Sequence, residues 1–194
     1  MSSRLLDTEF DRIILGIDPG TNIMGYGVLG CKKKSIHLIS MGIITLGRVD
    51  SHALKLKKIF ERTLSLVDGY HPDEMALEAP FYGKNVQSML KLGRAQGVAM
   101  AAGLYRDIPI FEYAPKRIKQ SITGSGNASK EQVAGILKSL LKFDEIPKNL
   151  DATDGMAAAV CHYFQGGITN SNQPNKKNYG SWGSFITDNP DRIK

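Results

Sequence analysis

Four acidic residues of this chain lie where acidic residues are uncommon. Asp18 ends the apolar segment ILGID, just before the turn PGTN, and Glu78 ends the apolar segment MALE. Asp151 and Asp154 begin the segment DATDGMAAAV, which is otherwise mostly small and apolar. A spacing of three residues places this last pair on one face of a helix. The pattern predicts one convergent cluster of four carboxylates.

A cluster of carboxylates repels itself unless cations are bound within it. No His or Cys accompanies the four acids at ligand spacing, and oxygen ligands alone favour Mg²⁺ or Mn²⁺ over zinc. Two such ions about 4 Å apart are a common means of phosphodiester hydrolysis, in which one activates water and the other stabilises the leaving oxygen. The cluster therefore indicates a metal-dependent nuclease.

Each acid also has a structural interpretation that the sequence leaves open. Asp151 and Asp154 could be favourable charges at a helix N-terminus, with Asn149 or Asp151 as the cap. Asp18 could serve only to form the turn that follows it. Glu78 is harder to explain in this way, because strands disfavour glutamate and its neighbours are apolar.

The positive charge of the chain is confined to one segment. The 194 residues carry a formal net charge of +6. Positive and negative charges balance at ten each in residues 1–83 and four each in 149–194, whereas residues 84–148 carry eleven positive and five negative charges. Such a basic segment either solvates helix faces or binds a polyanion such as nucleic acid.

Other features exclude several classes of protein. Two cysteines, Cys31 and Cys161, are too few for a disulfide scaffold, and they favour a reducing compartment. No apolar run approaches the roughly 20 residues of a membrane span, and the segment MSSRLLDTEFDR lacks the apolar core of a signal peptide. We therefore expect a cytoplasmic protein.

Four segments resemble, in order and spacing, the motifs of the RuvC family of bacterial Holliday-junction resolvases, the crossover junction endodeoxyribonucleases. They are GIDPGTNIMGYGV, LEAPFYGKNVQSMLKLGRAQGV, YAPKRIKQSITGSGNASKEQV and LDATDGMAAAVCH, within residues 12–164. The resemblance implies an RNase H-like α/β fold with a five-stranded mixed sheet flanked by helices. It also implies a homodimer that cuts four-way DNA junctions by paired symmetric nicks in homologous recombination and repair, beside a branch-migration motor of RuvA and RuvB.

The resemblance also assigns roles to individual residues. It implies that two Mg²⁺ ions, with Mn²⁺ as a substitute, are bound at the four acids, and that Asp18 bridges both ions. Some relatives have His in place of the third acid, Asp151. The catalytic residues it implies are Asp18, Glu78, Asp151, Asp154, Lys119 and Lys130.

The resemblance further places on Phe81 an aromatic residue that acts on junction bases. Without the resemblance, Phe81 could equally pack in the core or stack on an unpaired base, and each lysine could be a solvated helix residue. Gly155 stands where the family usually has alanine, and we expect it to loosen the helix start. The expected DNA contacts are Phe81, Tyr82, Lys84, Lys91, Arg94, Lys116 and Arg117.

These residues must be positioned by ten elements in the order β-β-β-α-β-α-β-α-α-α. The hydrophobic patterns predict strands over 12–19, 26–31, 35–46, 73–79 and 108–113, and helices over 51–69, 85–104, 115–122, 129–141 and 151–164. The order predicts an α/β domain with a mixed sheet over residues 12–164. Residues 165–194, rich in Gly, Asn, Ser and Lys, are predicted to be a disordered tail.

Three glycines in the long helix 85–104 (Gly93, Gly97 and Gly103) predict close packing, in the core or at a dimer interface. Two other functions remain open at this point. The chain could bind junctions without cutting them, although four intact acids would then add negative charge to a DNA-binding face. It could also be an RNase H-like enzyme that cuts RNA in hybrids.

Overall fold

Five strands form one mixed sheet in the computed structural model, which describes residues 10–49, 51–79 and 85–169, with side chains up to residue 166. The strands are β1 (Arg12–Asp18), β2 (Ile23–Lys32), β3 (Ser35–Thr45), β4 (Glu74–Glu78) and β5 (Ile110–Tyr113). Their order in the sheet is β3-β2-β1-β4-β5. The β1–β2 and β2–β3 pairs are antiparallel, whereas β4 is parallel to both β1 and β5. The predicted mixed sheet and element order are confirmed.

Five helices accompany the sheet: α1 (His52–Tyr70), α2 (Val86–Leu104), α3 (Pro115–Thr123), α4 (Lys130–Leu141) and α5 (Asp151–Thr169). Ser51, Asn85 and Ser129 cap the N-termini of α1, α2 and α4. The predicted end of α5 at Phe164 is wrong, because the helix continues to Thr169. A glycine costs only about 1 kcal/mol in a helix, too little to end one that is already formed.

Helices pack on both faces of the sheet, and side-chain alternation along β1 separates the two cores. Ile13, Leu15 and Ile17 belong to the core that includes residues of α1 and α2, whereas Ile14 belongs to the core that includes residues of α4 and α5. Gly16 and Asp18 continue the register of Ile14. The last residue of β1 is therefore directed to the face that α5 covers.

Glycines let α5 approach the sheet closely. A Cβ atom on Gly16 would overlap the backbone of Gly155 and Ala159, and one on Gly25 would overlap the backbone of Asp151. A Cβ on Gly155 would lie 2.5 Å from the Tyr26 Cα atom. The expectation that Gly155 loosens the helix start is therefore wrong, because the missing side chain is what allows α5 to rest on β2.

The glycines of α2 differ from one another. A Cβ on Gly103 would meet the side chains of Met75 and Ile110, as close packing requires. Gly93 and Gly97 are exposed, and a Cβ built on either would meet no described atom within 4 Å apart from its chain neighbours and the nearby backbone of α2 itself. Close packing in the core is therefore the wrong interpretation for these two glycines.

The chain divides into two compact units, Met1–Phe164 and Gln165–Lys194. The described part of the second unit is the last turn of α5, and the remainder of the predicted tail lies outside the described residues. None of the helices described is long and apolar enough to cross a membrane.

Candidate active site

Two parallel strands bring the first two acids to the same edge of the sheet. β1 and β4 are in register at Ile17 and Leu77, so Asp18 and Glu78 each follow a paired residue. Both side chains are on the face covered by α5, because each continues the alternation of its strand. A single parallel pairing thus places Asp18 and Glu78 at the same sheet edge, although they are 60 residues apart in the sequence.

The other two acids come from the first turn of α5. Asn149 Oδ1 accepts a hydrogen bond from the Asp151 backbone N–H at 3.0 Å, and Leu150 O accepts one from the Asp154 N–H at 3.2 Å. Carboxylate oxygens of Asp18, Asp151 and Asp154 lie within 4.8 Å of one another. The convergence predicted for these three acids is confirmed by the structure.

Burial and mutual repulsion disfavour the ionised forms of these acids relative to the protonated forms. Burial raises the pKa of Asp18 from 3.8 to about 8, and the charges of Glu78 and Asp154 add to the effect. Burial likewise raises the pKa of Glu78 from 4.5 to about 7, with a further contribution from the charge of Asp154. Glu78 is outside the group of three, but its charge acts on the same carboxylates. All these effects are relieved when cations neutralise the cluster.

One cation of the chain already lies in the cluster. The Lys130 Nζ atom is 3.0 Å from an oxygen of Asp151 and 2.5 Å from an oxygen of Asp154. Burial lowers the pKa of Lys130, but its hydrogen bonds to the two aspartates outweigh that effect and raise it above its ordinary value. Burial raises the pKa of Asp154 as well, and the positive charge of Lys119 on α3 partly opposes the increase at both Glu78 and Asp154.

The α3–α4 connection positions this lysine. Gly124 ends α3 with a left-handed φ of 78°, and the Ser129 side chain and Gln132 form a reciprocal capping box at the start of α4. Lys130 is therefore the first residue of a firmly capped helix. The sequence identifies Lys130 as a functional candidate, but its ion pairs with Asp151 and Asp154 depend on the approach of α4 to α5 and have no sequence signal.

The donor set suits a hard divalent cation. Three carboxylates supply oxygen atoms at one point, and a positively charged ammonium is held between two of them. Neither His nor Cys joins this group among the described residues. Oxygen ligands of this kind fit Mg²⁺ or Mn²⁺. Asp18, Asp151 and Asp154, with Glu78 beside them, are the residues that would hold such ions.

The expected DNA contacts lie on two helices where the structure describes them. Lys91 and Arg94 are exposed on α2, and Lys116 and Arg117 are exposed on α3. Their participation in DNA binding stays a prediction. The remaining three, Phe81, Tyr82 and Lys84, lie outside the described residues.

One histidine and two cysteines are buried away from the acid cluster. His162 is 2% exposed, and its ring lies within hydrogen-bond distance of Glu74 Oε2 (2.8 Å) and of the Tyr113 hydroxyl (2.6 Å). Cys31 and Cys161 are free and buried. None of the three belongs to the acid cluster.

A mixed five-stranded sheet, with carboxylates that converge from the end of β1 and the start of α5 and a further acid at the end of β4, defines an RNase H-like α/β domain with an acidic cluster that could hold a metal ion. Residues 14–162 match the family described as crossover junction endodeoxyribonuclease RuvC. The chain belongs to this family.

Individual relatives agree with the family match. The chain is 62% identical to the crossover junction endodeoxyribonuclease RuvC of Cytophaga hutchinsonii, over 95% of this chain and 89% of the relative. It is 59% identical to that of Christiangramia forsetii, over 95% and 94%. The solved structure of Thermus thermophilus RuvC in complex with Holliday junction substrate superimposes with a TM-score of 0.76 at 26% identity, covering 81% of this chain and 96% of that one.

Proposed function

We propose that this protein is a metal-dependent endonuclease that resolves four-way DNA junctions by paired symmetric nicks in recombination and repair. The observation that supports this most directly is the convergence of Asp18, Asp151 and Asp154, with carboxylate oxygens within 4.8 Å, beside the charge of Glu78. The relatives at about 60% identity carry the name of that activity. The solved relative with Holliday junction substrate has the same fold.

The four acids hold two Mg²⁺ ions in this proposal, and Mn²⁺ can replace them. When bound, such ions supply Lewis-acid activation of water and stabilisation of the leaving oxygen. The chain itself supplies the buried carboxylates, whose repulsion disfavours the cluster without cations. It also supplies Lys130 and Lys119, whose ammonium groups place positive charge where the phosphodiester must approach. Release of Lys130 from Asp151 and Asp154 would free it to contact DNA.

Four basic residues on two helices would hold the phosphate backbone. Lys91 and Arg94 on α2, with Lys116 and Arg117 on α3, supply charges that are exposed to solvent. Contacts of this kind give affinity without sequence preference. For Phe81 and Tyr82 we propose stacking on junction bases, and for Lys84 a phosphate contact.

A second copy of the chain is the partner that we propose for the exposed face of α2. Val86, Leu90 and Leu104 are 65%, 50% and 56% exposed, and they share a helical stripe with Gly93 and Gly97. Large exposed apolar residues beside small ones permit two helices to approach closely. Paired nicks require two active sites, and a dimer supplies them.

The dimer is tested by the double variant Val86→Glu/Leu90→Glu, with Leu54→Glu on α1, 51% exposed, as the matched control. Sedimentation should show a monomer for the double variant and a dimer for the control. The monomer should make unpaired nicks in a junction. A double variant that remains dimeric would exclude this face as the interface.

We also propose two protein partners and a cellular location. The branch-migration motor of RuvA and RuvB would act on the same junction and deliver it to the nuclease. The substrate and the two free, buried cysteines agree with a cytoplasmic location.

The activity is tested with a synthetic four-way junction labelled on each strand in turn. With Mg²⁺, the wild-type protein should nick two strands of like polarity at symmetric positions, and Asp18→Asn should not. Asp144→Asn makes the same chemical change in an exposed loop and should cut normally. A hybrid RNA–DNA duplex and a linear DNA duplex serve as competing substrates. A wild-type protein that leaves the junction intact, or prefers the hybrid, would overturn the proposal.

A further inference from the structure

A polar cavity of 380 Å³ lies apart from the acid cluster, at the turn that leads away from it. Its walls come from the β1–β2 turn, the approach to α1 and the first turns of α1 and α2. The residues that line it are Thr21, Asn22, Val49, His52, Lys55, Ser88 and Lys91. No carboxylate lines it among the described residues.

The cavity is close to Asp18 along the chain. Thr21 follows Asp18 by three residues, so their Cα atoms can be no more than about 10 Å apart. The turn is fixed at its far end, since the Leu46 N–H donates to Asn22 O at 2.7 Å. The turn that lines the cavity is therefore anchored within about 10 Å of Asp18.

Lys55 and Lys91 give the cavity its charge. Lys55 Nζ donates to Thr21 O at 3.0 Å and to Asn22 Oδ1 at 3.2 Å, both of them neutral acceptors. Neither Lys55 nor Lys91 forms an ion pair with a carboxylate of the described residues. Within the part of the chain that the structure describes, two lysines therefore line one cavity and no carboxylate pairs with either of them.

His52 adds a polar atom that lacks a partner. Its Nε2 atom is buried and has no hydrogen-bond partner among the described residues. A buried polar atom without a partner costs about 1–3 kcal/mol, which a hydrogen bond to a group in the cavity would recover, and the tautomer with the proton on Nε2 makes this atom a donor. The caps of α1 and α2 are already occupied, because Ser51 Oγ accepts from Leu54 N and Asn85 Oδ1 accepts from Ser88 N. The side chains that line the cavity, and not the helix N-termini, therefore determine which ligand it can bind.

We propose that this cavity binds a phosphodiester group of the DNA strand that is cut, within a few nucleotides of the scissile bond. Lys55 and Lys91 supply charge, and Ser88, Thr21 and His52 supply donors to phosphate oxygens, which only accept. One strand carries a phosphate about every 3.4 Å of helix axis, so 10 Å corresponds to about three nucleotides. The inference rests on the proposed function and adds to it a site that fixes the strand relative to Asp18.

The first test is the salt dependence of junction binding in EDTA, measured by fluorescence anisotropy. Lys91→Gln should weaken binding several-fold and reduce the slope of log K against log salt concentration by about 1. Lys34→Gln is the matched control, because Lys34 is an exposed lysine of the β2–β3 turn, at the opposite end of the sheet from Asp18. Equal slopes for wild type and Lys91→Gln, or equal losses in both variants, would overturn the proposal.

The second test locates the phosphate. A neutral methylphosphonate replaces one phosphate at a time near the cut position, and binding is measured with wild type and with Lys55→Gln/Lys91→Gln. One substitution within about three nucleotides of the cut should weaken wild-type binding and have no effect in the double variant. Lys91→Gln alone is measured in parallel, since loss of Lys55 could loosen the turn. Additive losses at every position would refute the cavity as a phosphate site.

The two proposals fail in distinguishable ways. A wild-type protein that does not cut the junction contradicts the proposed function. A wild-type protein that cuts normally, with no position coupled to Lys55 and Lys91, contradicts only the phosphate cavity.

Discussion

Replacing Asp18 by Asn should stabilise the protein in the absence of metal while abolishing its activity. The Asp18 side chain is buried beside Glu78 and Asp154, and its pKa is raised from 3.8 to about 8. In the folded state this carboxyl keeps a proton between pH 4 and 8 that the unfolded chain has already lost. The free energy of unfolding must therefore fall as pH rises through that window.

The size of the effect follows from the shift. About four pKa units at roughly 1.4 kcal/mol each give a penalty of about 6 kcal/mol above pH 8, and structural relaxation with water entry removes about half of it or more. We expect Asp18→Asn to gain about 2–3 kcal/mol in EDTA at pH 8.5. A chain of this size should then melt about 5–10 °C higher. At pH 4 the gain should vanish, because the wild-type carboxyl is protonated there.

Thermal unfolding in EDTA at pH 4 and pH 8.5 measures this difference, with Asp144→Asn as the control that alters an exposed carboxylate. Added Mg²⁺ should raise the melting temperature of the wild type at pH 8.5 and should raise that of Asp18→Asn much less. An Asp18→Asn protein that is less stable than the wild type in EDTA at pH 8.5 would show that repulsion at Asp18 is not the cost that cations relieve.

Other substitutions test the remaining parts of the structure. Lys130→Ala should keep its circular dichroism spectrum and cut a junction at least tenfold more slowly in single turnover; an unfolded variant would indicate a structural role instead. Gly16→Ala should cost more than about 3 kcal/mol in urea unfolding, because the new Cβ overlaps the backbone of α5; a cost below 1 kcal/mol would contradict the close approach. His162→Gln should cost about 2–3 kcal/mol by the same assay through its lost hydrogen bonds, and unchanged stability would show that they contribute little. Phe81→Ala should reduce cleavage more than binding, whereas equal losses would indicate an affinity contact only.

The acids of the site could be predicted because each lies in an apolar segment, where acidic residues are uncommon. Asp18 and Glu78 end apolar strands, and Asp151 and Asp154 begin an apolar helix, so burial and charge conflict within the sequence itself. The parallel pairing of β1 with β4 then follows from the element order. These features depend on neighbours in sequence and on topology, which patterns of hydrophobicity record well.

Other features depend on how separate elements approach one another, and the sequence does not record that. The ion pairs of Lys130 need the α4–α5 distance. Gly155 reads as a weak point in a helix, but it is the contact that seats α5 on β2. Gly93 and Gly97 suggest burial, yet they face solvent. The cavity at Lys55 is assembled from separate stretches of chain, none of which carries a phosphate-binding motif.

In the proposed function, four carboxylates form one metal site that cuts junction DNA. This function is tested most directly by measuring single-turnover cleavage of a four-way junction in Mg²⁺ for Asp18→Asn, Glu78→Gln, Asp151→Asn and Asp154→Asn, with junction binding measured in EDTA for each. We predict that all four variants bind the junction and that each loses cleavage by at least a hundredfold. A variant that binds and cuts at the wild-type rate would show that its acid does not belong to the metal site. A wild-type protein that binds the junction without cutting it would contradict the proposed nuclease activity.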